Sequence, residues 1–264
     1  MTNDVLEQVL ADLRAEGDAL EALVAPLDEA GWRKAVPAEG WDIATTIVHL
    51  AWTDECAVAA GTDKEAWDAL VLQGIADPFG FVDAQAFAGA KASGAEILAR
   101  WRGGRPALAG MLRDYPEGQK LPWFGPPMSP TSMATARFME TWAHALDVYD
   151  ALGVDYVPTD RVRHVAHLGV RTRNFSFGVH ELEPPAEEFR IELTAPSGEV
   201  WSYGPPDAAQ RLTGSAYDFC LLVTQRRHRD DLDLVASGAD VDRWLDIAQA
   251  FAGPSGAGRE ATRG

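Results

Sequence analysis

Thr131-Ser-Met-Ala-Thr-Ala-Arg137-Phe138-Met-Glu140-Thr-Trp-Ala-His144-Ala-Leu-Asp147-Val-Tyr-Asp-Ala-Leu152-Gly153 is the stretch on which the fold reading turns. Twenty-two residues without proline or glycine precede Gly153, with Pro158 beyond, so the pattern predicts one long helix that stops at that glycine. Glu140 and His144 are four residues apart on it, one turn above the other, and can converge on one ion. An exposed i,i+4 ion pair is the competing reading of those two residues taken alone.

Working backwards, Pro116 to Pro130, with Pro122, Gly125, Pro126 and Pro127, breaks any periodic structure and predicts a loop around Trp123 and Phe124. Before it, Asp83 to Leu112 reads as a long helix and Lys64 to Ile75 as a short one. Asp42 is an N-cap for a helix carrying Ile43, Ile47, Leu50 and Val58, closed at Gly61. Leu6, Val9, Leu10, Leu13, Leu20, Leu23, Val24 and Leu27 recur at helical spacing near the start. Residues 1–158 therefore read as a four-helix bundle with an insertion.

Working forwards, 159–264 reads as a smaller mixed α+β domain. A helical stretch from Arg161 to Val179 precedes alternating Phe189, Ile191 and Leu193, which read as a strand. Pro196-Ser197-Gly198 turns into a second strand, Glu199 to Tyr203. Leu212 to Leu234 combines a strand with a helix near Tyr217 to Val223, and Val241 to Phe251 reads as the last helix.

The whole chain has 264 residues, 47% of them hydrophobic, and a formal charge of −17 from 23 basic and 40 acidic side chains. So negative a surface repels phosphate backbones and anionic lipid, which argues against nucleic-acid and membrane partners and for a small-molecule substrate. The first 158 residues carry 24 acidic and 11 basic side chains, the remainder 16 and 12. Arg161, Arg163, Arg171, Arg173, Arg226, Arg227 and Arg229 thus gather in the second half, as solvated groups or as contacts for an anionic substrate. Cys56 and Cys220 form no disulfide framework and no thiolate metal motif. The N-terminal residues lack the basic-then-apolar order of a signal peptide, and no apolar run approaches the roughly 18 residues of a membrane span, so the expected location is cytoplasmic.

His49 stands in the weakly charged run Thr45-Thr-Ile-Val-His49-Leu-Ala-Trp52, where a core histidine is the plain alternative to a ligand. Together, His49, Glu140 and His144 make the N,N,O set of a catalytic zinc site with an open fourth position, or of a non-haem iron site. Cys56 lies seven residues after His49, about 10.5 Å along the axis, too far to join them. Asp147, three residues after His144, is either a carboxylate that orients that ring or a solvated acid. His164 and His167 lack an acidic or cysteine partner at ligand spacing, and His180 and His228 read as surface groups. Trp52, Trp123, Phe124 and Trp142 line a pocket or, more commonly for such spacing, a core.

Gly40-Trp41 followed eight positions later by His49-Leu50, together with Glu140-x-x-x-His144, resembles the DinB-like metal-binding bundles of the mycothiol-dependent maleylpyruvate isomerase type, an actinobacterial family. The resemblance implies a DinB-like bundle over 1–158 and a sterol-carrier-like α+β domain over 159–264. It also implies that His49, Glu140 and His144 are metal ligands. Zinc is the first expectation, with iron, nickel and manganese as alternatives, and mycothiol is the thiol cosubstrate. The segment Asp218-Phe-Cys-Leu-Leu-Val-Thr-Gln225-Arg226 is similar to one ending in Gly-Arg in that family, which implies a catalytic Arg226 acting on a small anionic substrate. Gln225 replaces the usual glycine there. The implied activity is a thiol transferase or isomerase; a metal-dependent hydrolase and a non-catalytic binding protein are the alternatives. Monomer and homodimer remain equally open.

Overall fold

Capping chemistry decides where the helices begin. The computed structural model describes residues 2–253, 255–256 and 258–262, save the side chains of 2 and 3. Its chain forms two compact units, 1–156 and 157–264. In the first, the helices are α1 (Thr2–Val24), α2 (Glu29–Trp32), α3 (Ile43–Thr62), α4 (Lys64–Ala76), α5 (Phe81–Gly89), α6 (Gly94–Asp114) and α7 (Pro130–Leu152). Asp42 starts α3 by accepting from Thr45 N and Thr45 Oγ1, each at 2.7 Å. Ser129 caps α7, and Pro130 opens it where a missing N–H costs nothing. Gly153 ends α7 at φ 66°, a left-handed turn that glycine adopts without steric penalty.

α3 packs chiefly on α6, and α1 on α7. α3 is buried almost all round: Ile43, Ala44, Ile47, Val48, Leu50 and Ala51 are all fully inaccessible. Burial of side chains such as Ile47 and Leu50 contributes about 1.5–3 kcal/mol each, so α3 is the bundle's central rod. Polar residues on that rod need partners. Asp54 accepts from Arg137 Nε of α7 at 2.8 Å, both side chains at most 5% exposed, which ties the two helices together.

The single long helix expected over Asp83 to Leu112 is two helices. Ser93 and Glu96 form a reciprocal capping box that starts α6. Gly94 lies so close to Trp32 that an added Cβ would meet the indole at 2.3 Å, and its N–H donates to Glu29 Oε1 at 3.0 Å. The break is therefore held by α2, a tertiary cause. The proline-rich loop before α7 carries an antiparallel bridge between Leu121 and Met128. It lays Trp123 parallel on Trp67 at 5.9 Å between ring centroids.

In the second unit, a 3-10 turn (Asp160–Val162) leads to α8 (Arg163–Arg171) and α9 (Arg173–Val179), then to β1 (Arg190–Thr194), β2 (Val200–Tyr203), β3 (Arg211–Ser215), α10 (Ala216–Val223), β4 (Leu234–Ser237) and α11 (Ala239–Ile247). The expected helix over Arg161 to Val179 breaks at Thr172, whose hydroxyl bonds back to Leu168 O at 2.9 Å. The sheet order is β2-β1-β3-β4, with β1 and β3 parallel and the outer pairs antiparallel. Leu193 faces inward opposite Trp201, and Ile191 lies beside Leu212 in the parallel register. β4 goes unread in the sequence because none of its four residues is fully buried, which leaves a weak apolar alternation. Among the described residues no helix is long and apolar enough to cross a membrane.

Candidate metal centre

His49 lies on α3, and Glu140 and His144 lie on α7, one helix that α3 packs against. His49 Nε2 is 3.3 Å from Glu140 Oε2, and His144 Nε2 is 3.5 Å from that same oxygen. One donor atom from each residue lies within 4.8 Å of the other two. Side-chain exposure rises from 10% at His49 and 15% at His144 to 26% at Glu140, so the cluster is reachable through its carboxylate.

The spacings bear on what the cluster holds. Hydrogen bonds from nitrogen to oxygen cluster near 2.9 Å. Two ligands bound to zinc at about 2.1 Å in tetrahedral geometry stand about 3.4 Å apart. The observed 3.3 and 3.5 Å stand at the long end of hydrogen bonding and also suit the second. The donor chemistry agrees. Burial is the main reason that the His49 imidazole titrates near 4, below its ordinary 6.5, so that it is neutral. Burial alone would raise the Glu140 carboxyl, but the hydrogen bonds from His144 and His49 outweigh it and hold the group well below its ordinary range. A neutral His49 imidazole and an ionised Glu140 carboxylate are protonation states that a divalent ion requires.

His144 Nδ1 lies 3.2 Å from Asp147 Oδ2, and Asp147 is 2% exposed. The choice left open by sequence is decided: Asp147 is buried against the imidazole, where a carboxylate fixes the tautomer that leaves Nε2 free as a donor atom. Trp41 borders both rings. Its indole is parallel to His144 at 5.9 Å and edge-on to His49 at 5.4 Å. In the sequence Trp41 is only a motif position, because its spacing from His49 crosses a helix cap and carries no geometric signal.

The other candidates fall elsewhere. Cys56 is buried beside Trp52 and Phe81, away from the three ligands, and burial pushes its thiol up to about 12. Trp142 is fully buried and donates to Tyr156 OH at 3.1 Å; Phe124 is 45% exposed and packs on Trp67. His167 titrates below its ordinary value, first through burial and then through Arg171, and no metal-ligating group includes it among the described residues. A cavity of about 550 Å³ between α1 and α6 reaches Asp54 and Thr141 but none of the three ligands.

Arg226 belongs to the second unit, just beyond α10. Its backbone N–H donates to Leu221 O at 2.8 Å and Nη1 donates to Thr224 O at 2.7 Å. The residue before it, Gln225, has φ 56°, one of two non-glycine residues among those described with a positive φ. The position where the resemblance places a glycine is thus one whose backbone favours glycine.

Comparison with known proteins gives the family and the fold. Residues 13–149 match the family model described as the mycothiol maleylpyruvate isomerase N-terminal domain, and residues 185–237 match one described as wyosine base formation. Two uncharacterized proteins of Mycobacterium tuberculosis, from different strains, are each 58% identical over 250 residues, covering 95% of this chain and 97% of theirs. Crystal structures of a mycothiol-dependent maleylpyruvate isomerase share the fold. One superposes with a TM-score of 0.58 at 15% identity, over 88% of this chain and 92% of that one. A histidine mutant of that enzyme gives 0.58 at 16% identity, over 87% and 92%. The family match spans more than half of the chain and contains all three clustered side chains, so this chain belongs to the mycothiol maleylpyruvate isomerase N-terminal domain family.

Proposed function

We propose that this chain is a metal-dependent enzyme of the thiol-transferase or isomerase kind, with His49, Glu140 and His144 holding zinc and mycothiol as its thiol. The observation that carries the reading is the convergence of one donor atom from each of His49, Glu140 and His144 within 4.8 Å, with both distances at Glu140 Oε2 suited to the edges of a tetrahedral site. The family to which the chain belongs and the solved enzyme that shares its fold both carry mycothiol in their names, which supports the choice of thiol.

A zinc ion so held supplies a Lewis acid that lowers the pKa of a bound thiol or water. The chain's own residues prepare for it. With neutral imidazoles at His49 and His144 and one negative charge on Glu140, these three residues would leave a bound dication a net positive charge toward an anionic sulfur. Asp147 holds the His144 ring with Nε2 toward the site. Arg226 is proposed to bind a carboxylate or developing enolate of a small anionic substrate through its planar guanidinium.

Metal analysis of the purified protein tests this first: about one equivalent in the wild type, and loss in His49→Ala and His144→Ala. Unchanged metal content in those variants overturns the ligand assignment. Turnover of a maleylpyruvate-like dicarboxylate that requires added thiol, and that falls sharply in Arg226→Ala, supports the thiol reading. Ester or amide turnover without thiol replaces it with a hydrolase.

A further inference from the structure

The two imidazoles of the cluster are held by different means. His144 has the usual device, an acceptor on its far nitrogen, because Asp147 Oδ2 lies 3.2 Å from Nδ1. His49 does not. Its Nδ1 is buried and has no hydrogen-bond partner among the described residues. With nothing to fix it, an imidazole can turn about its last side-chain torsion, which is broad and roughly two-fold, and so swing Nε2 away from the site. Its orientation must come from packing.

Four ring contacts make up that packing. Trp41 meets His49 at 5.4 Å with planes at 62°, lies parallel to His144 at 5.9 Å with planes at 8°, and is met edge-on by Phe87 of α5 at 6.4 Å. The two imidazoles touch each other at 4.7 Å and 65°. Offset-parallel and edge-to-face arrangements are those that aromatic rings favour, so one indole restrains both ligands at once. The indole is itself anchored. Trp41 N–H donates to Ala38 O, and Val36 N–H donates to Trp41 O, each at 3.1 Å. Gly40 takes the turn before it at φ 74°, and Asp42 after it caps α3, the helix that carries His49.

We infer that Trp41 is a positioning residue of the metal centre, orienting the His49 imidazole by an edge-to-face contact in place of the missing outer hydrogen bond while stacking on His144 from one side. This rests on the metal reading above. The role requires a planar ring at position 41 and not merely apolar bulk, which separates it from ordinary core packing.

The test titrates Co²⁺ into the metal-free wild type, Trp41→Phe and Trp41→Leu. It reads the dissociation constant by chelator competition and the coordination geometry from the visible d–d bands. Loss of an outer-shell partner ordinarily weakens a site 10- to 100-fold. We expect Trp41→Leu to bind about tenfold more weakly with altered bands, and Trp41→Phe to stay near the wild type. Leucine binding as tightly as wild type with the same bands overturns the inference, as does phenylalanine behaving like leucine. Should Trp41→Leu fail to fold, Phe87→Ala removes the backing ring from a position already 42% exposed. It is expected to weaken Co²⁺ in the same direction by a smaller factor, and unchanged binding there overturns the role. A wild type that takes up no Co²⁺ overturns the metal reading itself, an outcome distinct from the others.

Discussion

Protonation of His49 should measurably destabilise this protein. In the folded chain the buried imidazole titrates near 4, against 6.5 in the unfolded one. Between those values the unfolded state binds a proton that the folded state refuses, so stability rises with pH through that window and is lost as pH falls from 6.5 toward 4. At 1.36 kcal/mol per pH unit the full penalty is about 3 kcal/mol, of which about 2 kcal/mol is already present at pH 5. The side chain is only 10% exposed, so solvent screening discounts little of it. Glu140 stays ionised across the window because its carboxyl is held well below 4.5. The assay is urea denaturation in EDTA at pH 7.5 and pH 5.0, comparing the wild type with His49→Gln, which cannot titrate. The wild type should lose about 2 kcal/mol more than the variant between the two conditions. Equal losses, within about 0.5 kcal/mol, would show that His49 is not buried as a neutral base, and the donor set argued for the metal would lose one of its members.

Other consequences are as direct. Asp147→Asn should weaken zinc 10- to 100-fold in chelator competition, and unchanged affinity would sink its role in orienting His144. Arg137→Leu leaves Asp54 buried without its cation and should cost about 3–5 kcal/mol in urea denaturation, most of it recovered when Asp54→Leu is added; a harmless single substitution contradicts the buried pair. Gln225→Val forces a β-branched residue into left-handed backbone and should destabilise by about 1–2 kcal/mol, whereas Gln225→Gly should not destabilise.

Local chemistry was legible in the sequence wherever a residue acts on its own neighbours. Asp42 as a cap, Gly153 as a stop and the four-residue spacing of Glu140 and His144 depend only on helix geometry, and each appears where the pattern put it. The same local logic failed at Ser93 and Thr172. At Ser93 the break was selected by contacts from elsewhere, Trp32 and Glu29 against Gly94, whereas at Thr172 it goes with a hydroxyl turned back onto Leu168, a local bond that apolar periodicity does not reveal.

By itself, the sequence determined an acidic, two-part chain with a helical first half and three metal-compatible side chains on two helices. Only the tertiary structure decided that these three converge, because 91 residues separate His49 from Glu140 and helix periodicity says nothing about distance between helices. Only the tertiary structure put Asp147 against His144, left His49 Nδ1 without a partner among the described residues, and laid Trp41 against both rings. Burial, partner choice and ring orientation are properties of packing, and packing is set by residues distant along the chain.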